Sequence, residues 1–502
     1  MSDNDLKRRI DSIVDGMRDE IVGALSNILK YQTVSGAADE DGQAVYRDET
    51  ARCLDWLGTT CKRMGFDWKN HENIYAYADL PAGESHVGLP VHIDVVPPGD
   101  GWTHDPFGGD VDQATVWGRG CQDDKGPAIQ MLYAMHVLKT LNRPLGRGAR
   151  LIVGTAEECG DWDDIKLYLA NEQHPQISIV SDASFPIINA EKGMMNYAVT
   201  TDLDFAADPE PGGYTFKSAW AGERANIVPP NALLTLRGDA TSDKETLKKE
   251  LDRFIEKNPE ASAEILPSAD EDATEHDIAI LFHGRGAHGS TPAEGHNAAL
   301  DMLKFMNETS FVSEDESELA GFLHDKGASL DGAELDVAET HPFVGSTTVN
   351  LGIVHWLGWQ CRAVFNIRVT KKDQEPADVT LRQNIARVAA VVSEFADETG
   401  FPVEHGTDGK TMGPIYVDPA QHPDFIDALK DAYTTFTGRE ATLHAIGGTT
   451  YAKVFPSAVC FGPVDPKEEP ELAHQADERV RIEHLLRNVK IYAYALARLC
   501  AV

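Results

Sequence analysis

The apolar positions in the first part of the chain follow two alternating periods. They recur at helical spacing from Pro127 onward, as they do from Arg47 to Met64. Short continuous apolar runs, which are typical of buried strands, separate such helices: Val87–Val96, Arg150–Thr155 and Ile177–Val180. Strands that alternate with helices at this spacing predict an α/β fold with a mainly parallel sheet flanked by helices.

The pattern changes near Asn196. Alternating strand-like runs follow, together with a helix whose capping box consists of Ser242 and Glu245 and with loops rich in Pro, Asp and Gly. A long predicted helix, Val379–Thr399, ends this region, and the first pattern resumes near Gly400. We therefore predict a discontinuous first domain, residues 1–195 and 400–502, into which an α+β domain of residues 196–399 is inserted.

Length, composition and charge limit the classes of function. A chain of 502 residues exceeds one ordinary core, and its 42% hydrophobic and 25% charged residues are typical of soluble globular proteins. The formal net charge of −36 disfavours nucleic acids and anionic membranes as partners, because both are bound through basic patches. We interpret the acid runs at 268–277 and 313–318 as exposed loops.

The cellular compartment is inferred from the N-terminal segment and the cysteines. The first 25 residues form a charged amphipathic pattern, and no apolar run in the sequence is long enough to span a membrane. Seven widely spread cysteines without a CxxC pair suit a reducing compartment and argue against a thiolate zinc site. The prediction is a cytoplasmic protein.

Potential metal ligands follow the predicted strands, at the edge where parallel strands end together. His92 and Asp94 are two residues apart on an extended segment, so their side chains face the same way and Asp94 can be the hydrogen-bond partner of the His92 ring. Glu157 and Glu158 follow the second strand, and Asp182 follows the third. Adjacent buried acids are costly without a cation, although a helix-starting turn and a merely structural His92 are the alternative interpretations.

Two further segments offer ligands of the same kind. The stretch Trp117–Gly126, WGRGCQDDKG, places Asp123 and Asp124 in a glycine-rich loop just before a predicted helix. Such a pair suits a hard or borderline cation, but a solvated turn is the alternative. His474 lies in a loop before the C-terminal helix, and it is a candidate ligand although most loop histidines are not ligands.

Seven motifs, taken together and in order, resemble those of a known enzyme family. They are HIDVVPPGDGW, GRGCQDDKG, GTAEECG, SDASFPIINAEKG, HGSTP, IGGTTYAK and AHQADE. Along nearly its full length the chain resembles the co-catalytic zinc aminopeptidase/deacylase family that includes carnosinase and aminoacylase, and most closely its PepV-type bacterial dipeptidases. Thr449, Asp477 and Cys159 depart from the family pattern, which affects the expected substrate preference more than the chemistry.

The resemblance implies a site for two divalent metal ions. Asp123 would bridge the ions, His92 and Asp182 would hold one, and Glu158 and His474 would hold the other. A ligand set of histidines and carboxylates fits Zn²⁺, with Mn²⁺ or Co²⁺ as alternatives. Two such ions lower the pKa of a shared water and polarise the scissile carbonyl.

The resemblance also implies the catalytic residues. Glu157 would be the general base that takes the proton of the water and passes it to the leaving amine. His288 would stabilise the oxyanion of the tetrahedral intermediate. Asp94 is counted with these catalytic residues as the neighbour of His92.

Four residues are expected to bind the substrate. Arg368 matches a family position that binds the C-terminal carboxylate, and Asn226 matches one that contacts the substrate, with a structural role as the alternative for each. Gly447 and Gly448 belong to the glycine loop of the family.

The leading hypothesis is a dipeptidase that acts on dipeptides with a free N-terminus, with the inserted domain closing as a lid. The same site in an N-acyl-amino-acid deacylase is the alternative, and a noncatalytic metal-dependent binding protein is a third interpretation. The partner is a small peptide substrate, and a monomer is favoured over a homodimer.

Overall fold

The computed structural model describes residues 2–36, 47–159, 162–203, 212–267, 274, 276–372 and 375–501. The chain divides into two compact units, Met1–Ala190 with Tyr416–Val502, and Glu191–Ile415. Most of the acid run at 268–277 lies outside the described residues. The acid run at 313–318 is not a loop as predicted but begins a helix, because Ser313 and Glu316 form a capping box.

The secondary structure is named in chain order. The helices are α1 Asp3–Gly16, α2 Arg18–Ile28, α3 Arg47–Arg63, α4 Lys125–Thr140, α5 Asp163–Asn171, α6 Lys244–Lys257, α7 Ala298–Glu308, α8 Glu314–Ala328, α9 Ala377–Thr399, α10 Pro423–Thr437 and α11 Ile482–Leu499. The strands are β1 Asp67–His71, β2 Tyr75–Leu80, β3 His86–His92, β4 Thr115–Trp117, β5 Gly148–Gly154, β6 Ile177–Val180, β7 Ala183–Ser184, β8 Ile187–Glu191, β9 Gly193–Asp202, β10 Tyr214–Ala221, β11 Asn231–Gly238, β12 Ser262–Pro267, β13 Ile278–His283, β14 Thr340–His341, β15 Gly345–Ser346, β16 Thr348–Leu357, β17 Gln360–Val369, β18 Val403–Thr407, β19 Ile415–Tyr416, β20 Leu443–Ile446, β21 Ala458–Cys460, β22 Pro463–Val464 and β23 Arg479–Arg481.

The main sheet of the first unit has the order β1-β2-β5-β3-β6-β21-β8-β19, with β20 also paired to β8. The central strands β5, β3, β6 and β21 are parallel to one another, whereas β2 pairs antiparallel with β5 and with β1 on one side, and β8 pairs antiparallel with β21 on the other. Every residue of β3, β5 and β6 is buried, which is why these strands read as continuous apolar runs. The predicted α/β class with a mainly parallel sheet is confirmed.

Helices cover this sheet and position its functional edge. The helices α4 and α11 pack on each other, and α4 is buried from Lys125 to Met135. The parallel strands β3, β5 and β6 end at His92, Gly154 and Val180, so the loops that follow leave from the same edge of the sheet. Among the described residues, none of the helices combines the length and the apolarity that crossing a membrane requires.

The second unit is built around an eight-stranded antiparallel sheet of order β12-β13-β11-β10-β16-β17-β9-β18. Residues of α6, α7, α8 and α9 form its hydrophobic core with the sheet. The unit runs from Glu191 to Ile415 and therefore includes β18, which the predicted boundary at residue 400 assigned to the first domain. The reason is the pairing of β18 with β9 along Val403–Thr407.

Candidate metal centre

His92 ends β3 with its ring oriented by the backbone. Its Nδ1 lies 3.0 Å from the carbonyl oxygen of Asp94 and 3.3 Å from Asp94 Oδ1. Both atoms are acceptors, so Nδ1 carries a hydrogen, and in the neutral ring Nε2 would have the lone pair that a metal ligand needs. Nε2 lies 3.0 Å from Asp123 Oδ1 and 3.9 Å from Asp182 Oδ1. These three side chains form the first candidate ligand group.

A second candidate group meets the first at Asp123. His474 Nε2 lies 3.1 Å from Asp123 Oδ2 and 3.0 Å from Glu158 Oε1. His474 has a positive φ of 65°, so a turn aims its ring back toward Asp123. One oxygen of Asp123 therefore belongs to each group, which is the arrangement in which one carboxylate can be shared by two cations.

The electrostatics of the cluster fit a cation. Burial alone would lower the pKa of His92, but the carboxylates of Asp123, Asp182 and Asp94 outweigh it and raise that pKa well above its usual range. Burial raises the pKa of Asp182 to about 7, helped by the charge of Asp123. Burial also raises the pKa of Glu157, with the charge of Asp182 adding to it. Crowded buried carboxylates of this kind are stabilised in their ionised form by divalent cations.

The atoms that face the cluster are suited to ligation. Within the described part of the chain, His92 Nε2 and Asp123 Oδ1 are buried and lie 3.0 Å apart, but neither atom has a partner with hydrogen-bond geometry. Buried polar atoms without hydrogen bonds are rare, and a bound ion is one accepted explanation. Imidazole nitrogens with carboxylate oxygens, without a thiolate, are the ligand set of zinc, manganese or cobalt sites.

Asp94 holds the loop that follows β5. Its Oδ1 accepts the backbone N–H of Glu157 at 3.1 Å and its Oδ2 accepts that of Glu158 at 3.0 Å. The Asp94 side chain is 2% exposed, and both of its oxygens are occupied by hydrogen bonds. Asp94 is predicted as a catalytic residue through its place beside His92, and these contacts show that its carboxylate also holds the backbone of Glu157 and Glu158.

Asp164 supports the same loop from the other side. Its Oδ2 accepts the backbone N–H groups of Thr155 and Ala156 and the hydroxyl of Tyr451. A side chain on Gly154 would come within 2.2 Å of the Tyr451 hydroxyl oxygen, so this close approach requires glycine. Neither Asp164 nor Tyr451 was predicted from the sequence as a site residue.

Asp124 and Glu478 stabilise the loop before α4, which contains Asp123. Asp124 is fully buried, and its Oδ2 accepts the backbone N–H of His92 at 3.0 Å, so it supports the end of β3. The sequence pairs it with Asp123 as a possible cation ligand, but it belongs to neither candidate ligand group. Glu478 Oε1 accepts the backbone N–H groups of Gly120, Gln122 and Asp123 at 3.1, 2.8 and 3.2 Å. Its Oε2 accepts a hydrogen bond from the Arg119 guanidinium at 2.6 Å.

Glu478 was not predicted from the sequence as a residue of the site. The only indication in the sequence is that Glu478 ends the motif AHQADE and that Arg119 lies in the motif GRGCQDDKG. These two residues are 359 positions apart in the chain, so their pairing is invisible without the tertiary structure.

A cavity of about 380 Å³ opens beside the two ligand groups. Its walls include the candidate ligands Asp123, Glu158, Asp182 and His474, and the predicted base Glu157. Its other lining residues are Gln122, Ala183, Ser184, Ile188, Ile446, Gly448, Thr449, Thr450, Val464, Glu471 and Ala473. Gly448, predicted to bind substrate, therefore lines the cavity, and Gly447 precedes it in the same loop.

The predicted residues of the second unit lie close to one another. The backbone N–H of Ser290 donates to His288 Nδ1 at 3.2 Å, so Nδ1 is an acceptor and Nε2 carries the hydrogen. Burial lowers the pKa of His288, and the positive charge of Arg368 lowers it further. The carbonyl of Asn226 accepts the N–H of Gly289 at 2.7 Å. His288, Arg368 and Asn226 thus lie in one region of this unit.

Arg368 is almost completely buried, which is unusual for an arginine. It is 3% exposed, and its Nε donates to Asn366 Oδ1 at 3.0 Å. Burial lowers the pKa of its guanidinium to about 10.

Comparison with known families matches residues 88–498 to Peptidase family M20/M25/M40. The match covers well over half of the chain, so the protein belongs to this family, and the resemblance inferred from the seven motifs is confirmed. The match spans both units, from β3 to α11.

Several known proteins are similar over nearly their whole length. The putative dipeptidase YtjP of Bacillus subtilis is 29% identical over 476 residues, 94% of each chain, and the Beta-Ala-Xaa dipeptidase of Lactobacillus delbrueckii subsp. lactis is 29% identical over 440 residues, 87% of each. Among solved structures, human carnosine dipeptidase 1 has a TM-score of 0.54 at 14% identity, covering 98% of this chain and 99% of that one. The dipeptidase Dug1p of Saccharomyces cerevisiae has a TM-score of 0.55 at 14% identity, covering 98% of both. These two structures support the fold alone.

Proposed function

We propose that this protein hydrolyses dipeptides with a free N-terminus, at a site that holds two divalent cations. The observation that carries the proposal is that the two carboxylate oxygens of Asp123 face different histidines. Oδ1 lies 3.0 Å from His92 Nε2, and Oδ2 lies 3.1 Å from His474 Nε2. The names of the relatives from Bacillus subtilis and Lactobacillus delbrueckii support dipeptides as the substrate class.

The proposed ligands follow the two groups. His92 and Asp182 would hold one ion, Glu158 and His474 the other, and Asp123 would contact both. When bound, the two cations would lower the pKa of a water molecule and polarise the scissile carbonyl. We propose Zn²⁺ first, with Mn²⁺ or Co²⁺ as alternatives, because the donors are two imidazoles and three carboxylates.

Glu157 is the proposed general base. It lines the cavity, and Asp94 fixes its backbone N–H. Burial and the charge of Asp182 raise the pKa of its carboxyl, so it holds a proton more firmly than an exposed glutamate does. A base with a raised pKa can take the proton of the attacking water and return it to the leaving amine.

His288 is the proposed donor to the oxyanion. Because Nδ1 accepts from Ser290, Nε2 carries a hydrogen that it can donate. Its lowered pKa keeps the ring neutral at pH 7, so donation does not require an imidazolium ion. Arg368 is the proposed partner of the C-terminal carboxylate of the substrate, and Asn226, Gly447 and Gly448 are proposed contacts of the peptide.

The test is a comparison of three substrates after chelation and reloading with Zn²⁺, Mn²⁺ or Co²⁺. Leu-Gly, N-acetyl-Leu-Gly and N-acetyl-leucine are incubated with the metal-loaded enzyme, and the released amino acid is measured. The proposal requires release from Leu-Gly alone and loss of that release after chelation. Release from N-acetyl-leucine in place of Leu-Gly would make the protein a deacylase, and metal binding without any release would support the noncatalytic interpretation.

A further inference from the structure

Glu471 is a carboxylate of the cavity that neither ligand group uses. Five carboxylates line the cavity, three of them belong to the ligand groups, and Glu157 is the proposed base. Glu471 is the fifth, and it lies three residues before His474 in the chain. Across the described residues, its carboxylate makes no hydrogen bond or ion pair.

The backbone on either side of Glu471 is fixed by one buried side chain. Gln122 Oε1 accepts the N–H of Leu472 at 2.7 Å, and Gln122 Nε2 donates to the carbonyl of Pro470 at 3.2 Å. Gln122 is only 3% exposed, and it directly precedes the shared ligand Asp123. The position of Glu471 is therefore tied to the position of the ligand groups, although its own side chain is exposed.

Of the five carboxylates that line the cavity, Glu471 is the one whose charge two bound divalent cations would not balance. Two divalent cations bring four positive charges, which Asp123, Glu158, Asp182 and ionised Glu157 balance, because ligand histidines are neutral. An additional carboxylate at the wall of the same cavity favours a cationic group on the substrate. In a dipeptide with a free N-terminus, the ammonium group is attached to the carbon next to the scissile carbonyl.

We propose that Glu471 binds the N-terminal ammonium group of the substrate and so selects free dipeptides over N-acylated ones. This inference rests on the proposed function, since it names the residue that recognises the end of that substrate. The apolar walls formed by Ile188, Ile446 and Val464 suit the side chain of the first residue and offer no competing charge.

The experiment compares Leu-Gly with 4-methylpentanoyl-glycine, which has the same shape but lacks the amino group. For E471Q we expect kcat/KM on Leu-Gly to fall about tenfold to a hundredfold, mainly through KM, because a charged hydrogen bond is lost. The activity on 4-methylpentanoyl-glycine should stay unchanged, as should the metal content measured by elemental analysis. Glu483→Gln, at an exposed glutamate of α11, is the matched control and should behave as the wild type on both substrates.

Each other outcome contradicts the proposal in a distinct way. An equal loss on both substrates would mean that Glu471 acts on the metal site or the chemistry. Lys-Gly is assayed as a third substrate, and a loss of activity on Lys-Gly alone would mean that Glu471 binds a basic side chain instead of the ammonium group. No change in E471Q, with wild-type enzyme that cleaves Leu-Gly, would overturn this inference alone, whereas a wild type that cleaves no dipeptide would overturn the proposed function.

Discussion

The carboxylate of Asp94 accepts the backbone N–H of Glu157 at 3.1 Å, so a residue at the end of one strand fixes the proposed base that follows another. The same side chain approaches Nδ1 of His92 and accepts the N–H of Glu158. One buried carboxylate thus orients the proposed base and two proposed ligands, and partners of this kind help to set the metal affinity of a site.

Asp94→Asn tests this positioning role. The amide retains only one acceptor oxygen, so one backbone N–H of the Glu157–Glu158 pair loses its partner. We expect metal affinity and kcat/KM each to fall about tenfold to a hundredfold, measured by metal titration and by dipeptide hydrolysis. Asp163→Asn, at an exposed aspartate of α5, is the control, and equal effects in both variants would rule out a specific role for Asp94.

Glu157→Gln separates the base from the ligands. Glutamine has nearly the same size but cannot accept the proton of the water, so we expect kcat to fall about 10²-fold to 10⁴-fold. The bound metal, measured by elemental analysis, should remain because Glu157 belongs to neither ligand group. Loss of one metal equivalent in this variant would assign Glu157 as a ligand and contradict the proposed mechanism.

The buried ion pair of Arg119 and Glu478 should control stability. Glu478 is fully buried and Arg119 is 1% exposed, and their side chains are 2.6 Å apart. Removing one partner leaves the other charge buried without compensation, so we expect Glu478→Gln to lower the free energy of unfolding by about 3–5 kcal/mol, measured by urea denaturation.

A double variant provides the control for that prediction. Arg119→Met with Glu478→Leu removes both charges and should recover part of the lost free energy, because no unpaired charge remains. A double variant no more stable than Glu478→Gln would show that the backbone hydrogen bonds of Glu478, and not its pairing with Arg119, dominate.

His86, at the start of β3, should make stability sensitive to acid. It is 7% exposed, and burial lowers the pKa of its ring to about 4, with the nearby charge of Arg150 contributing. Between about pH 6.5 and pH 4 the unfolded chain binds a proton at this residue that the folded chain does not, so stability falls as the pH falls through this window.

The comparison of wild type with His86→Gln isolates this contribution. Between pH 7 and pH 5 the free energy of unfolding of the wild type should fall by about 1–2 kcal/mol more than that of the variant. Chemical denaturation at the two pH values measures the difference. His174→Gln, at an exposed histidine, is the control and should have the acid sensitivity of the wild type. If His86→Gln also had the acid sensitivity of the wild type, the assignment to His86 would be contradicted.

The α/β fold was predictable because its signal is local. The runs that became β3, β5 and β6 are apolar throughout, and central parallel strands are buried on both faces. Because parallel strands end at the same edge of a sheet, the sequence also placed His92, Glu158 and Asp182 near one another. The boundary near residue 400 was misplaced because the pairing of β18 with β9 joins segments about 200 residues apart, which no local pattern records.

The sequence by itself determined the α/β class, the family and the residue types from which a cation site can be built, because periodicity and motifs are properties of neighbouring residues. Only the tertiary structure decided that Asp123 faces both histidines, that Asp94 positions Glu157, and that Gln122 fixes the segment of Glu471. These contacts join residues between 31 and 351 positions apart, and their distances depend on how strands and helices pack. Hydrogen bonds and charge pairs act over a few ångströms in space, whatever the separation along the chain.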